Sequence, residues 1–231
     1  MEKLNNNTNR KFQKIYDLLL VIATRGYNSL KTALAKSKKN APKTPETDTG
    51  EYGYSTLFEL CVYLLSRLDT SLFKYSQDRS VRHELVSSII HRLKEDLGKH
   101  LEQKNLIEII NQRMTEYGRC FHERERDKAK AAEEQHAVLV NNIRYAKNNN
   151  ESKFWESGIT SSIPSSLITD SLILLVFEKR DVLLFQDALK HLFHNVEDFT
   201  TLSLDEIDKR IASGIEEAKR TTKNLDEELF L

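Results

Sequence analysis

Histidines and arginines with acid–base chemistry cluster in the middle of the chain. His83, His91 and Arg92 share one predicted helix, and Arg119 and His122 end the next apolar stripe. Arginine and histidine lining one groove can hold a phosphodiester and transfer a proton. These five residues are candidate catalytic residues of a nuclease or phosphohydrolase, either metal-independent or metal-assisted. Solvated helices with alternating charges show the same mixture, so a plain surface remains the alternative.

Two histidine pairings have the spacing of metal ligands on one helical face. Glu133 and His136 form a single Glu-x-x-His, whereas a carboxylate-bridged di-metal bundle needs that motif twice. His191 and His194 could bind zinc with a nearby carboxylate, but they end an apolar helix, where the helix dipole favours cations. These four residues are the candidate ligands, and we predict neither a metal nor a cofactor.

Glycine is too scarce for the usual nucleotide-binding loops. The chain has seven glycines, and none stands in a Walker or Rossmann pattern. The sequence also lacks GxSxG and HExxH. Enzymatic activity is therefore disfavoured, although it stays open.

Charge is uneven along a chain whose overall net charge is zero. The basic N-terminal region includes Lys36, Lys38, Lys39 and Lys43, which are candidates for contacting nucleic-acid phosphates. At the other end, Leu229, Phe230 and Leu231 follow a run of acidic residues and could dock into a groove on a partner protein. Nucleic-acid binding is possible but not favoured, because a protein that grips nucleic acid usually has a larger basic excess.

Few backbone breakers and recurrent three- and four-residue apolar spacings predict an all-α fold. Only seven glycines and three prolines occur in 231 residues. We predict an irregular bundle of six or seven helices in a single domain, 1–231, with connectors at about 38–53 and 148–164. Residues 57–68 and 167–192 should form its centre. Thr56 with Glu59, and Ser203 with Glu206, each predict a capping box at a helix start.

Two regions have less obvious secondary structure. The stretch of about 104–147 contains no proline and one glycine, Gly118, which predicts one long helix that bends or protrudes. Residues 172–185 are predicted to be helical. Their two apolar runs around Glu178–Asp181 could instead pair as a β-hairpin, although the turn lacks glycine and asparagine.

These features favour a helical protein-interaction or scaffold protein without catalytic activity. A thin apolar seam along 122–147 would suit self-association or a partner protein. No apolar run is longer than the six residues from Leu172 to Phe177, which is far short of the roughly 20 residues that span a bilayer. We therefore predict no membrane insertion and a cytoplasmic location.

Overall fold

The computed structural model describes residues 6–40, 53–76, 79–101, 105–122, 128–148 and 167–228. Within these ranges the chain forms seven helices and no strand, which confirms the all-α bundle. The first five are α1 (Asn6–Asn40), α2 (Tyr54–Tyr75), α3 (Arg79–Leu101), α4 (Leu106–His122) and α5 (Lys128–Asn148). Helix α6 joins α-helical Leu167–Val176 and Leu183–Phe193 through a π-helical turn, Phe177–Val182, and α7 is Leu204–Glu228.

Helix α2 lies at the centre because its apolar side chains cover most of its circumference. It contacts α1, α3, α4, α5 and α6. Its fully buried side chains include Phe58, Leu60, Cys61, Val62, Tyr63, Leu64, Leu65 and Leu68. Helix α6 adds a second buried stripe that contains Leu174, Phe177, Phe185 and Leu189. Both predicted central segments therefore contribute to the core.

The predicted long helix over 104–147 is wrong, because the chain forms two helices that pack against each other and against α2. The described part of the apolar seam that was predicted to face a partner packs inside the bundle. Leu139 and Ile143 are fully buried, and Ala146 is 7% exposed. Self-association stays a prediction, because these buried positions cover only part of the predicted seam.

Residues 172–185 are helical, so the hairpin alternative is wrong. The four charged residues between the apolar runs lie in the π-helical turn of α6. Asp181 in this turn is completely buried and lies 3.3 Å from Arg25 and 3.0 Å from Arg180. Two guanidinium groups thus neutralise an acid that would otherwise be costly to bury.

Of the two predicted capping boxes, one forms. Ser203 Oγ accepts from the Glu206 amide at 3.2 Å, and Glu206 accepts from the Ser203 amide at 2.8 Å. The Thr56–Glu59 box is wrong because α2 begins at Tyr54, with Gly53 as its N-cap and no side-chain cap. Thr56 and Glu59 are both completely buried and face the core instead.

Helices α1 and α7 lie close together near the chain ends. Lys14 of α1 pairs with Asp208 of α7 at 2.6 Å, and Lys11 donates to the Thr200 main-chain oxygen just before α7. A basic side chain of the N-terminal region is thus paired with an acidic side chain of the C-terminal helix. The predicted connectors fall largely in 41–52 and 149–166, outside the described residues, although α1 remains helical to Asn40. None of the described helices has the length and hydropathy needed to cross a bilayer.

Candidate functional site

The three predicted catalytic residues of α3 lie in different surroundings. Arg92 reaches α1, where it hydrogen-bonds Gln13 and, at 3.3 Å, the Asn9 main-chain oxygen. His91 is exposed and contacts the Ser87 oxygen of its own helix at 2.8 Å. His83 is exposed as well. Within the described part of the chain, no hydrogen bond joins these three side chains.

Other predicted positions lie partly or wholly beyond what the structure describes. Arg119 and His122 are in the last turn of α4, and Lys38 and Lys39 are in the last turn of α1, but their side chains are not described. Lys36 is exposed on α1. Lys43, Leu229, Phe230 and Leu231 lie outside the described residues, so their proposed roles stay predictions.

The metal-ligand candidates are found in two separate histidine–glutamate contacts rather than one cluster. His136 contacts Glu178 of α6, whereas Glu133 is exposed on α5. His191 contacts Glu217 of α7 at 2.6 Å, and His194 is exposed beyond the end of α6. Among the described residues, no group of three or more His, Cys, Asp or Glu side chains is placed to hold a metal ion.

His136 bridges two side chains of α6 through both of its ring nitrogens. Nδ1 lies 2.8 Å from Glu178 Oε2, and Nε2 lies 3.3 Å from Ser171 Oγ. Ser171 and Glu178 are seven residues apart and so share one face of α6, two turns from each other. The imidazole from α5 spans that gap. We call Ser171, His136 and Glu178 the relay.

Helix α2 holds the carboxylate end of the relay. Tyr63 Oη lies 2.5 Å from Glu178 Oε1 and also receives a 2.5 Å hydrogen bond from Arg67 Nη2. Burial raises the pKa of Tyr63 well above its usual value, so its hydroxyl keeps its proton and donates to Glu178. Glu178 therefore accepts from the Tyr63 hydroxyl on one oxygen and faces His136 on the other. Its orientation is fixed from both sides.

A second polar network lies deeper, between α2, α4 and α5. Glu59 is completely buried, accepts from Tyr117 Oη, and accepts at 3.1 Å from Asn142 Nδ2. Arg113 Nε is 3.4 Å from Glu59 Oε2, and Arg113 also pairs with Glu116 at 2.9 Å. A buried acid thus gathers one cation and two hydrogen-bond donors, as burial of a charge requires. We call these residues the buried network.

Burial is the dominant electrostatic influence on Glu59. It raises the pKa of the carboxyl, against the lowering effect of Arg113 and of hydrogen bonds from Tyr117 and Asn142. Burial, with Glu59 nearby, likewise raises the pKa of the Tyr117 phenol well above 10.0, so the phenol remains a donor. The Tyr63 and Tyr117 rings meet edge to face with centroids 5.0 Å apart. This contact joins the buried network to the relay.

A groove of about 450 Å³ opens between α2, α3 and α4, on another part of the surface. Its apolar lining comes from Val86, Ile90 and Met114, and its polar lining includes Ser66, Thr70, Asn111 and Thr115. One turn beyond Asp69 and Thr70 lies Phe73, whose side chain is 63% exposed.

An ion pair holds an arginine over that phenylalanine. Arg82 donates two hydrogen bonds to Asp69, at 2.6 and 2.8 Å, and its guanidinium carbon lies 5.3 Å from the Phe73 ring centroid. The two charges neutralise each other at the edge of the groove. The Asp69 carboxylate thus holds the Arg82 guanidinium over the exposed Phe73 ring.

The sequence candidates included His136 but missed Ser171, Glu178, Tyr63 and Arg67. The sequence did contain a signal for them. The seven-residue spacing of Ser171 and Glu178, and the four-residue spacing of Tyr63 and Arg67, place each pair on one face of a helix. Comparison of the whole chain with protein-family models, with curated proteins and with solved structures finds no match in any of the three.

Proposed function

We propose that this chain is a helical interaction protein that binds another protein through the groove between α2, α3 and α4. The observation that carries the proposal is Phe73, a large apolar residue that is 63% exposed, lies under Arg82, and follows the groove-lining residues Asp69 and Thr70 by one helical turn. Exposed aromatic and arginine side chains beside a pocket are typical of residues that dominate binding energy in protein interfaces.

An amphipathic helix of a partner protein is the occupant that suits this groove. The lining residues of α4 extend from Asn111 to Gly118, which is about 10 Å along a helix axis. That length accepts two turns of a partner helix with apolar anchors three or four residues apart. The charges of Asp69 and Arg82 cancel, and the remaining lining side chains are neutral. A neutral groove with an apolar lining matches an apolar helix face better than a polyanion.

A photo-cross-linking amino acid placed at position 73 tests this surface in the full chain. The matched control is position 21, because Val21 is 57% exposed on α1. We expect position 73 to cross-link to a defined protein that position 21 does not capture. The purified partner should then bind the wild type through a helical segment. Thr115→Trp, which fills the groove from an exposed position, should weaken that binding at least about tenfold, or 1.4 kcal/mol.

Three results would refute the proposal. Position 73 could yield no specific product, or the same products as position 21. It could cross-link only to a second copy of this chain, which would make the groove a self-association surface instead. Thr115→Trp could leave affinity for the purified partner unchanged. A cytoplasmic location remains a separate prediction.

A further inference from the structure

We propose that the relay is a nucleophilic site at which Ser171 attacks carboxylic esters, with His136 as general base and Glu178 as a positioning residue. This activity is separate from the groove and does not depend on its having a partner. The proposal rests on the order of the contacts: Ser171 Oγ to His136 Nε2 at 3.3 Å, then His136 Nδ1 to Glu178 Oε2 at 2.8 Å.

The hydrogen-bond directions favour proton transfer from the serine. A carboxylate at Nδ1 holds the imidazole proton on that nitrogen, which leaves Nε2 to accept from the Ser171 hydroxyl. Tyr63 Oη lies 2.5 Å from the other Glu178 oxygen and donates to it. The carboxylate therefore cannot turn away from His136 without losing the Tyr63 hydrogen bond. Nucleophile, base and orienting acid are all present in the arrangement that activated serines use.

The relay lies within reach of solvent, unlike the buried network. The His136 side chain is 17% exposed and that of Glu178 is 14% exposed. Ser171 is partly exposed, and its neighbour Leu172 is 54% exposed. An uncovered leucine beside the nucleophile suits an apolar acyl group. Arg67, beside the relay, donates to Tyr63 Oη. Phosphoryl groups are normally held by cationic clamps, so a neutral acyl ester is the better match.

The reaction balances with water as the only co-reactant. Ser171 Oγ bonds to the ester carbonyl carbon while its proton passes to His136 Nε2. The bond to the leaving alkoxide breaks, and the alkoxide takes the proton from His136. Water then loses a proton to His136 and attacks the acyl-serine, and Ser171 regains its proton as the carboxylic acid leaves. The π-helical turn that contains Glu178 fits this assignment, because such turns occur frequently at functional sites.

A fluorophosphonate probe tests the nucleophile directly in the full-length protein. We expect the probe to label one site, with the modified peptide containing Ser171, and p-nitrophenyl butyrate to be hydrolysed. Ser171→Ala should abolish both. His136→Gln should slow labelling at least about 100-fold, as loss of a general base does. Glu178→Gln should lower kcat for the ester and leave KM unchanged, because Glu178 does not touch the substrate.

A matched control exists in the second histidine–glutamate pair. His191 contacts Glu217 at 2.6 Å, so His191→Gln removes a similar histidine–glutamate contact and should leave labelling at the wild-type rate. Ser171→Cys keeps a nucleophile and should react with iodoacetamide faster than the same variant carrying His136→Gln. This pair remains informative if ester turnover is slow.

The proposal is overturned if the wild type is not labelled, if the probe reacts at another residue, or if His136→Gln is labelled as fast as the wild type. Circular dichroism of each variant separates loss of reactivity from loss of the fold. If His136→Gln does not fold, the Ser171→Ala and Glu178→Gln results decide the outcome.

Discussion

Gln135 Nε2 donates a hydrogen bond to the Tyr117 main-chain oxygen at 2.8 Å, across 18 positions of the chain. In one continuous helix these residues would be about 27 Å apart, at 1.5 Å per residue. The bond therefore marks the side-by-side packing of α4 and α5. It also fixes Tyr117, whose hydroxyl reaches Glu59. The pairing of two helices and the burial of an acid thus depend on the same residue.

Tyr117→Phe should destabilise the protein by about 1.5–3 kcal/mol, because it removes a hydrogen bond to a buried acid. Urea denaturation measures the change. The control is Tyr54→Phe, since Tyr54 is 49% exposed, and its effect should fall within about 0.5 kcal/mol. Equal effects at the two positions would contradict a stabilising role for the buried network.

Stability should fall as the pH rises above the ordinary Glu59 pKa of 4.5, because burial raises this pKa in the folded protein. The native state then retains a proton that the unfolded chain releases, so deprotonation favours unfolding. Glu59→Gln cannot titrate. The loss of unfolding free energy between about pH 5 and about pH 8 should be smaller in this variant than in the wild type. Identical pH dependence in the two proteins would show that Glu59 does not contribute.

Gly214→Ala should weaken the packing of α7 on α6. A methyl group there would come within 2.5 Å of the Asp187 main-chain oxygen and 2.6 Å of Ala188 Cα, so backbone must move. We expect a loss of about 1–3 kcal/mol, as for other overpacked sites. Gly118→Ala is the control, because nothing lies within 4 Å of its added methyl group. This change should stabilise α4 by up to about 1 kcal/mol. Thermal denaturation should therefore shift in opposite directions.

Lys11→Met should destabilise the protein more than Lys14→Met. Lys11 is 1% exposed and donates to the Thr200 oxygen, so removing its charge leaves a main-chain acceptor without that donor. We expect about 1–3 kcal/mol at this position. The Lys14–Asp208 pair is partly exposed, at 30% and 56%, and such pairs contribute about 0–1 kcal/mol. Urea titrations at low and high salt should show a smaller salt dependence of stability in Lys14→Met than in the wild type. A larger loss of stability in Lys14→Met than in Lys11→Met would contradict the stabilising role of the buried Lys11.

Periodicity was sufficient to predict the central helices but not the packing of α4 against α5. Helix α2 is apolar around most of its surface, so burial on all sides follows from its sequence. Residues 123–127 contain neither glycine nor proline, and local preference favours a continuing helix there. Tertiary contacts instead place the described helices α4 and α5 side by side, because Tyr117 of α4 and Asn142 of α5 both contact Glu59.

The relay was harder to predict because its members come from separate helices. His136 was a candidate, yet sequence spacing suggested Glu133 as its neighbour, whereas the structure supplies Glu178 from 42 positions away. Glu59 shows the related difficulty. Its spacing from Thr56 is that of a capping box, and only the position where α2 starts reveals that its carboxyl faces the core.

Glu59, Tyr63 and Arg67 occupy successive turns of α2. The same helix therefore carries the acid of the buried network and the two side chains that lie beside the relay. Helices resist stretching, and a tilt or slide of α2 displaces all three groups together. A movement of α2 that displaces Arg67 therefore also changes the contacts around Glu59. We therefore expect the contacts around Glu178 and those around Glu59 to be lost together, rather than separately, when α2 moves.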